Sequence, residues 1–140
     1  ERFKQREQSG VEIKLINVHL CDINDLVGEK IFSKNDLYVT GETLYQIMQP
    51  VGVKGRHNHN SHGLSSESVL DVLNKANTPI GIYASTSNRF VIVTIVLHHS
   101  HDNLILVVER NAQLKNNRDA RINKLVSIYP KRNVMQRIKR

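Results

Sequence analysis

Apolar residues change their spacing about midway along the chain. In residues 64–76 (LSSESVLDVLNKA), Val69, Leu70, Val72 and Leu73 recur at helical intervals, with Ser65 or Ser66 placed to cap the start and Asn77-Thr78-Pro79 placed to stop it. This predicts the main helix. Four runs rich in β-branched and aromatic residues follow, at 80–86, 89–97, 104–110 and 124–129, and each predicts a strand. The turn at Ser87-Asn88 and the short connection 98–103 make antiparallel hairpins the natural link between the first three. Upstream, Gly41-Glu42-Thr43 opens a short helix that runs to Met48 and is closed by Pro50 and Gly52. Residues 11–20 fit a strand or a short helix equally, 111–121 (NAQLKNNRDAR) reads as a polar loop, and 134–140 as a short helix or disorder. The pattern predicts an α+β fold with N-terminal helices packed on a four-stranded antiparallel meander sheet. Val69, Leu73, Ile82, Val91, Val93, Val107 and Ile128 are the expected core.

Length and composition narrow the function classes. A chain of 140 residues with 39% hydrophobic residues supports one buried core and therefore one domain with at most a short appendage. No run approaches the roughly 18 consecutive apolar residues of a membrane span, so no membrane partner is expected. Cys21 is the only cysteine, which excludes an intrachain disulfide, a zinc ribbon and a dithiol redox pair. The first residues (ERFKQREQ) hold neither an initiating Met nor a signal-peptide core, so the chain is expected to be a module of a larger polypeptide. Charge is sharply divided. Residues 1–114 hold 11 Lys/Arg and 12 Asp/Glu, whereas 115–140 hold 9 and 1, so the whole excess of the +7 net charge is C-terminal. Such a block attracts a phosphate backbone by releasing its counterions; a solvated, solubilising tail is the alternative.

Three of the seven histidines, His57, His59 and His62, fall in the loop Arg56-His57-Asn58-His59-Asn60-Ser61-His62-Gly63 that leads into the main helix. Free N–H groups of a first helical turn bind anions, and imidazoles near neutrality can both accept and donate a proton. The same three rings could instead hold zinc, although no carboxylate or thiol in the loop completes a tetrahedral shell. In the last strand, a period of two puts Val126 and Ile128 on one side and Asn123, Leu125, Ser127 and Tyr129 on the other, where hydroxyl and amide donors could orient a phosphodiester. Arg89, at the head of a strand, offers a planar fork that matches two phosphate oxygens.

Five segments in order carry a resemblance: Asn35-Asp36-Leu37-Tyr38-Val39-Thr40, His62-Gly63-Leu64-Ser65, Thr78-Pro79-Ile80-Gly81-Ile82-Tyr83, Phe90-Val91-Ile92-Val93-Thr94, and residues 123–131 (NKLVSIYPK). With them the chain resembles the phage-associated nuclease domains of the barnase, EndoU, colicin and RelE-like superfamily, including the C-terminal domains of MuF-type phage head proteins. The resemblance implies a nuclease domain over 35–133, preceded by an extension or linker region (1–34) and followed by a basic tail (134–140). It implies a metal-independent endoribonuclease, a toxin or phage effector needing no cofactor. In such a reaction the ribose 2′-OH attacks the adjacent phosphorus to give a 2′,3′-cyclic phosphate and a 5′-OH. His62 and His59 would then transfer protons, and Arg89, Ser127 and Tyr129 would hold the phosphate. Arg56, His57, Thr94, Asn123, Lys124, Lys131 and Arg132 would contact the RNA, with tRNA among the candidate substrates. An immunity or antitoxin protein is the expected neutralising partner. The site of action would be the cytoplasm of a target or host cell, reached by secretion or by delivery within a larger protein. A non-catalytic RNA-binding module and a zinc-binding domain are the competing expectations.

Overall fold

The computed structural model describes residues 11–49, 63–98, 102–114 and 117–138. Its elements are β1 (Glu12–Leu15), α1 (Cys21–Val27), β2 (Leu37–Thr40), α2 (Gly41–Met48), α3 (Ser66–Lys75), β3 (Gly81–Ala84), β4 (Arg89–His98), β5 (Asp102–Leu114), β6 (Asn117–Lys131) and a 3-10 turn (Val134–Arg137). Helix starts follow local chemistry. The Thr40 hydroxyl accepts from the Thr43 N–H at 3.1 Å, and the Ser65 hydroxyl accepts from the Ser68 N–H at 3.1 Å, so α2 and α3 are both capped by a side chain one residue outside the helix. Helix α1 ends at Gly28, whose φ of 71° is the left-handed conformation that a side chain resists, and its N–H closes the turn on the Asn24 carbonyl.

The six strands form one sheet in the order β1-β2-β6-β5-β4-β3. Neighbours are antiparallel except β2 and β6, which run parallel through Leu37↔Asn123 and Tyr38↔Lys124. The expected fold, helices on a four-stranded antiparallel meander, is thereby corrected to a mostly β architecture: among the described residues, a six-stranded mixed sheet with three short helices. The two additional strands are four residues long and join the sheet through the pairing of β2 with the distant β6, so local spacing carried little sign of them. Within 111–121, expected as a polar loop, residues 111–114 and 117–121 instead prolong β5 and β6, and Ala112 and the adjoining Ile122 are buried. Among the described residues no helix is long and apolar enough to cross a membrane.

Both faces of the sheet carry apolar side chains. On the inner face, Ile23 of α1, Ile47 of α2 and Val69, Val72 and Leu73 of α3 pack with Phe90, Ile92, Leu104, Leu106, Val108, Leu125 and Ile128. On the outer face lie Val91, Val93, Ile105 and Val107, joined by Val134 from the C-terminal turn. The expected core residues are therefore split across the two faces, with Ile82 only partly buried. Arg110 fastens one end of the inner layer. Its Nη1 donates to the Ile31 carbonyl at 2.6 Å and its Nη2 to Ser87 at 3.2 Å, while the guanidinium lies 4.7 Å from the centre of the Phe90 ring.

Candidate functional site

The outer face can be read off the strand register in rows. One row is Arg89, Glu109 and Lys124, contributed by β4, β5 and β6. Tyr83, Val91, Val107 and Ser127 form the next, and Gly81, Val93, Ile105 and Tyr129 the one after. Lys131 lies beyond, paired with Asn103. A cleft of about 1710 Å³ runs over this face and round the β3 edge to Leu26, Val27 and Glu29; Arg89, Ser127, Tyr129 and Lys131 all line it.

A bulge produces this arrangement. Val107 pairs with Ser127 but Val108 pairs with Leu125, so Val126 is an extra residue in β6. Strict alternation would set Val126 beside Ile128; instead Val126 faces the outer cluster and Ile128 the inner one. The expected sharing of one face by Asn123, Ser127 and Tyr129 is corrected for the same reason. Ser127 and Tyr129 open on the cleft, whereas Asn123, on the Leu125 side, is 3% exposed and donates through Nδ2 to the carbonyls of Lys34 (2.8 Å) and Asp36 (3.1 Å).

Electrostatically the face is a row of two cations about one carboxylate. Arg89 Nε lies 3.1 Å from Glu109 Oε1, and both side chains remain partly open to solvent. A pair this exposed adds little stability, so either member can exchange its partner for a ligand at small cost. The Ser127 hydroxyl is buried and has no hydrogen-bond partner within the protein, which leaves it a donor and an acceptor to offer. Lys124 and Lys131 are half-buried, and Arg132, well exposed, stands 3.4 Å from Asp102. Thr94 does not line the cleft: it is fully buried, its hydroxyl donates to the Leu104 carbonyl at 2.7 Å and accepts from the Val96 N–H at an irregularity in β4.

Arg56, His57, His59 and His62 lie outside the described residues. The described residues on either side of them are bonded to each other: the Gly63 N–H donates to the Gln49 carbonyl at 2.7 Å and the Leu64 N–H to that of Ile47 at 3.1 Å. That junction adjoins α3, which packs on the inner face, and none of residues 63–68 lines the cleft. The described residues thus bring together Arg89, Ser127, Tyr129 and Lys131 but not the start of α3. No group of three His, Cys, Asp or Glu side chains gathers among the described residues. Glu109 was missed by sequence reasoning. Its signal was a charged residue in phase with Ile105 and Val107 on an otherwise apolar strand face.

No curated protein and no solved structure matches the chain. The family model of the phage MuF-C-terminal domain matches residues 53–140, which hold α3, the β3–β6 hairpins and every residue of the outer-face rows. With more than half of its length matched, the chain belongs to the phage MuF C-terminal domain family.

Proposed function

We propose that this phage-associated domain is an endoribonuclease that works on its outer sheet face, cleaving RNA by attack of a ribose 2′-OH on the adjacent phosphorus, without a metal ion. The observation that carries the reading is the Arg89–Glu109–Lys124 row beside the unpartnered Ser127 hydroxyl and Tyr129. In this scheme Glu109 takes the 2′-OH proton as the new P–O2′ bond forms. Arg89, Lys124 and Ser127 hold the phosphoryl oxygens, where charge grows in the transition state. The P–O5′ bond breaks, and the leaving 5′-oxygen takes its proton from solvent water, giving a 2′,3′-cyclic phosphate and a 5′-OH. Tyr129 orients the strand at the cleft.

The biological reading that goes with this chemistry is a toxin or effector module of a larger phage protein, acting on cytoplasmic RNA such as tRNA and held in check by an immunity or antitoxin protein. Incubation of the full chain with labelled RNA in excess chelator tests the chemistry. The expected products end in 2′,3′-cyclic phosphate at a rate the chelator leaves unchanged. Binding without cleavage would reduce the domain to an RNA-binding module, and restoration of cleavage by zinc would move the chemistry to the histidine loop.

A further inference from the structure

The ten residues 131–140 contain five Lys or Arg and no acid, a composition that suits a free solubilising tail. Residues 132–138 are not free. Asn133, at a φ of 57°, reverses the chain as it leaves β6, and the turn Val134–Arg137 lies against the outer face. Val134 is 1% exposed within the Val91, Val93, Ile105 and Val107 cluster. Ile138 is seated on Gly81 of β3, so closely that a Cβ at position 81 would stand 2.5–2.7 Å from three Ile138 atoms. From β6 to β3 the segment crosses two intervening strands, a span of about 14 Å at the usual strand spacing. Gln136 and Ile138 both line the cleft. A solubilising tail needs neither a buried valine nor a side-chain-free seat.

We propose that residues 132–138 are an anchored basic strap, one wall of the outer-face cleft, which holds the polyanionic backbone of an RNA strand against Arg89, Ser127 and Lys131 of the same cleft. The proposal rests on the ribonuclease reading above and adds the element that retains the substrate. Anchoring matters energetically: a segment already ordered by Val134 and Ile138 pays no ordering entropy when its charges meet phosphate, whereas a free tail would. Gly81 is then a specificity position for a contact on another part of the chain, because any side chain there evicts Ile138.

The test compares the full chain with Gly81→Val, which fills the seat, and Ile138→Ser, which removes the anchor without touching the sheet. Trypsin cleavage at Arg132 and Arg137 reports undocking, and fluorescence anisotropy with a short labelled single-stranded RNA at several salt concentrations reports binding. Both variants are expected to be cut faster, to keep the parent's sheet signal by circular dichroism, and to bind RNA at least ~10-fold more weakly. The slope of log affinity against log salt should flatten by about 1.4, the loss of the two single-strand phosphate contacts that Arg132 and Arg137 can make. Undocked variants that bind as the parent does would overturn the strap while leaving the ribonuclease reading in place. Undocked variants that bind or cleave better would also overturn it, the strap then being an obstruction. A parent chain that binds no RNA would remove the ribonuclease reading and the strap's role together.

Discussion

Asn123→Ala separates a structural residue from a ligand-binding one. Asn123 Nδ2 bridges the carbonyls of Lys34 and Asp36 at 2.8 and 3.1 Å and so ties the entry of β2 to β6, from a side chain only 3% exposed. Each neutral hydrogen bond contributes about 1 kcal/mol net, and leaving half-buried carbonyls without a donor adds to the loss. The sum is about 2–3 kcal/mol, or roughly 6–12 °C in Tm for a chain of this size. Thermal and urea melts followed by circular dichroism measure it, with RNA affinity measured below the transition. Asn123→Asp should lose more at neutral pH, since a buried carboxylate would face two acceptor oxygens. That carboxyl is protonated more readily folded than unfolded, so the loss is smallest at low pH and grows as pH rises through the carboxylate range. The reasoning is refuted if Asn123→Ala melts within about 1 °C of the parent yet loses RNA affinity, for the amide would then face the ligand.

Arg110→Ala should cost about 2–4 kcal/mol in urea titrations, from two charge-assisted hydrogen bonds and the contact with Phe90, and Arg110→Lys should recover less than half, because an ammonium cannot span both carbonyls; full recovery by Lys would contradict this. Glu109→Gln should slow RNA cleavage by about 10²-fold or more while RNA affinity holds or improves, and unchanged turnover would remove Glu109 as the base. His62→Ala should cleave at the parent rate with fold and affinity kept; a loss of about 10²-fold or more would move a proton transfer to the histidine loop. Reversing the charge of Lys131, Arg132, Arg137 and Lys139 together should weaken binding to unrelated RNA sequences alike, and an unchanged salt slope would return this segment to the role of solubilising surface.

What was legible in the sequence was local. Helix α3 shows its periodicity and its Ser65 cap in ten consecutive residues, and the runs at β3, β4 and β5 are dense in Val and Ile. The four-residue β1 and β2 hold too few positions for alternation to register, and their place in the sheet depends on partners far away. The site was legible by residue type more than by direction. Arg89, Ser127, Tyr129 and Lys131 reach one cleft, but the Val126 bulge reverses the expected alternation and sends Asn123 to the opposite side. Thr94 lies buried with its hydroxyl on the Leu104 carbonyl, and a hydroxyl that serves a strand irregularity looks, in sequence, like one offered to a ligand. Glu109 went unremarked because its meaning lies in its neighbours on β4 and β6.

The parallel seam between β2 and β6 also bears on the order in which the chain folds. Asp36 and Asn123, bonded across it, are 87 positions apart, whereas the hairpins of β3 to β6 close over a few residues each. Closing the longer loop costs about 3 kcal/mol more in chain entropy than closing a four-residue turn. The meander and α3 can therefore condense first and present β6 as a template, to which the β1–β2 pair is added late through only two residue pairs. A sheet built in that order comes apart in reverse. Amide exchange should begin at the β1 edge and reach the strands beneath the cleft last, so that the chain's N-terminal third loosens while the face with Arg89, Glu109 and Ser127 stays assembled.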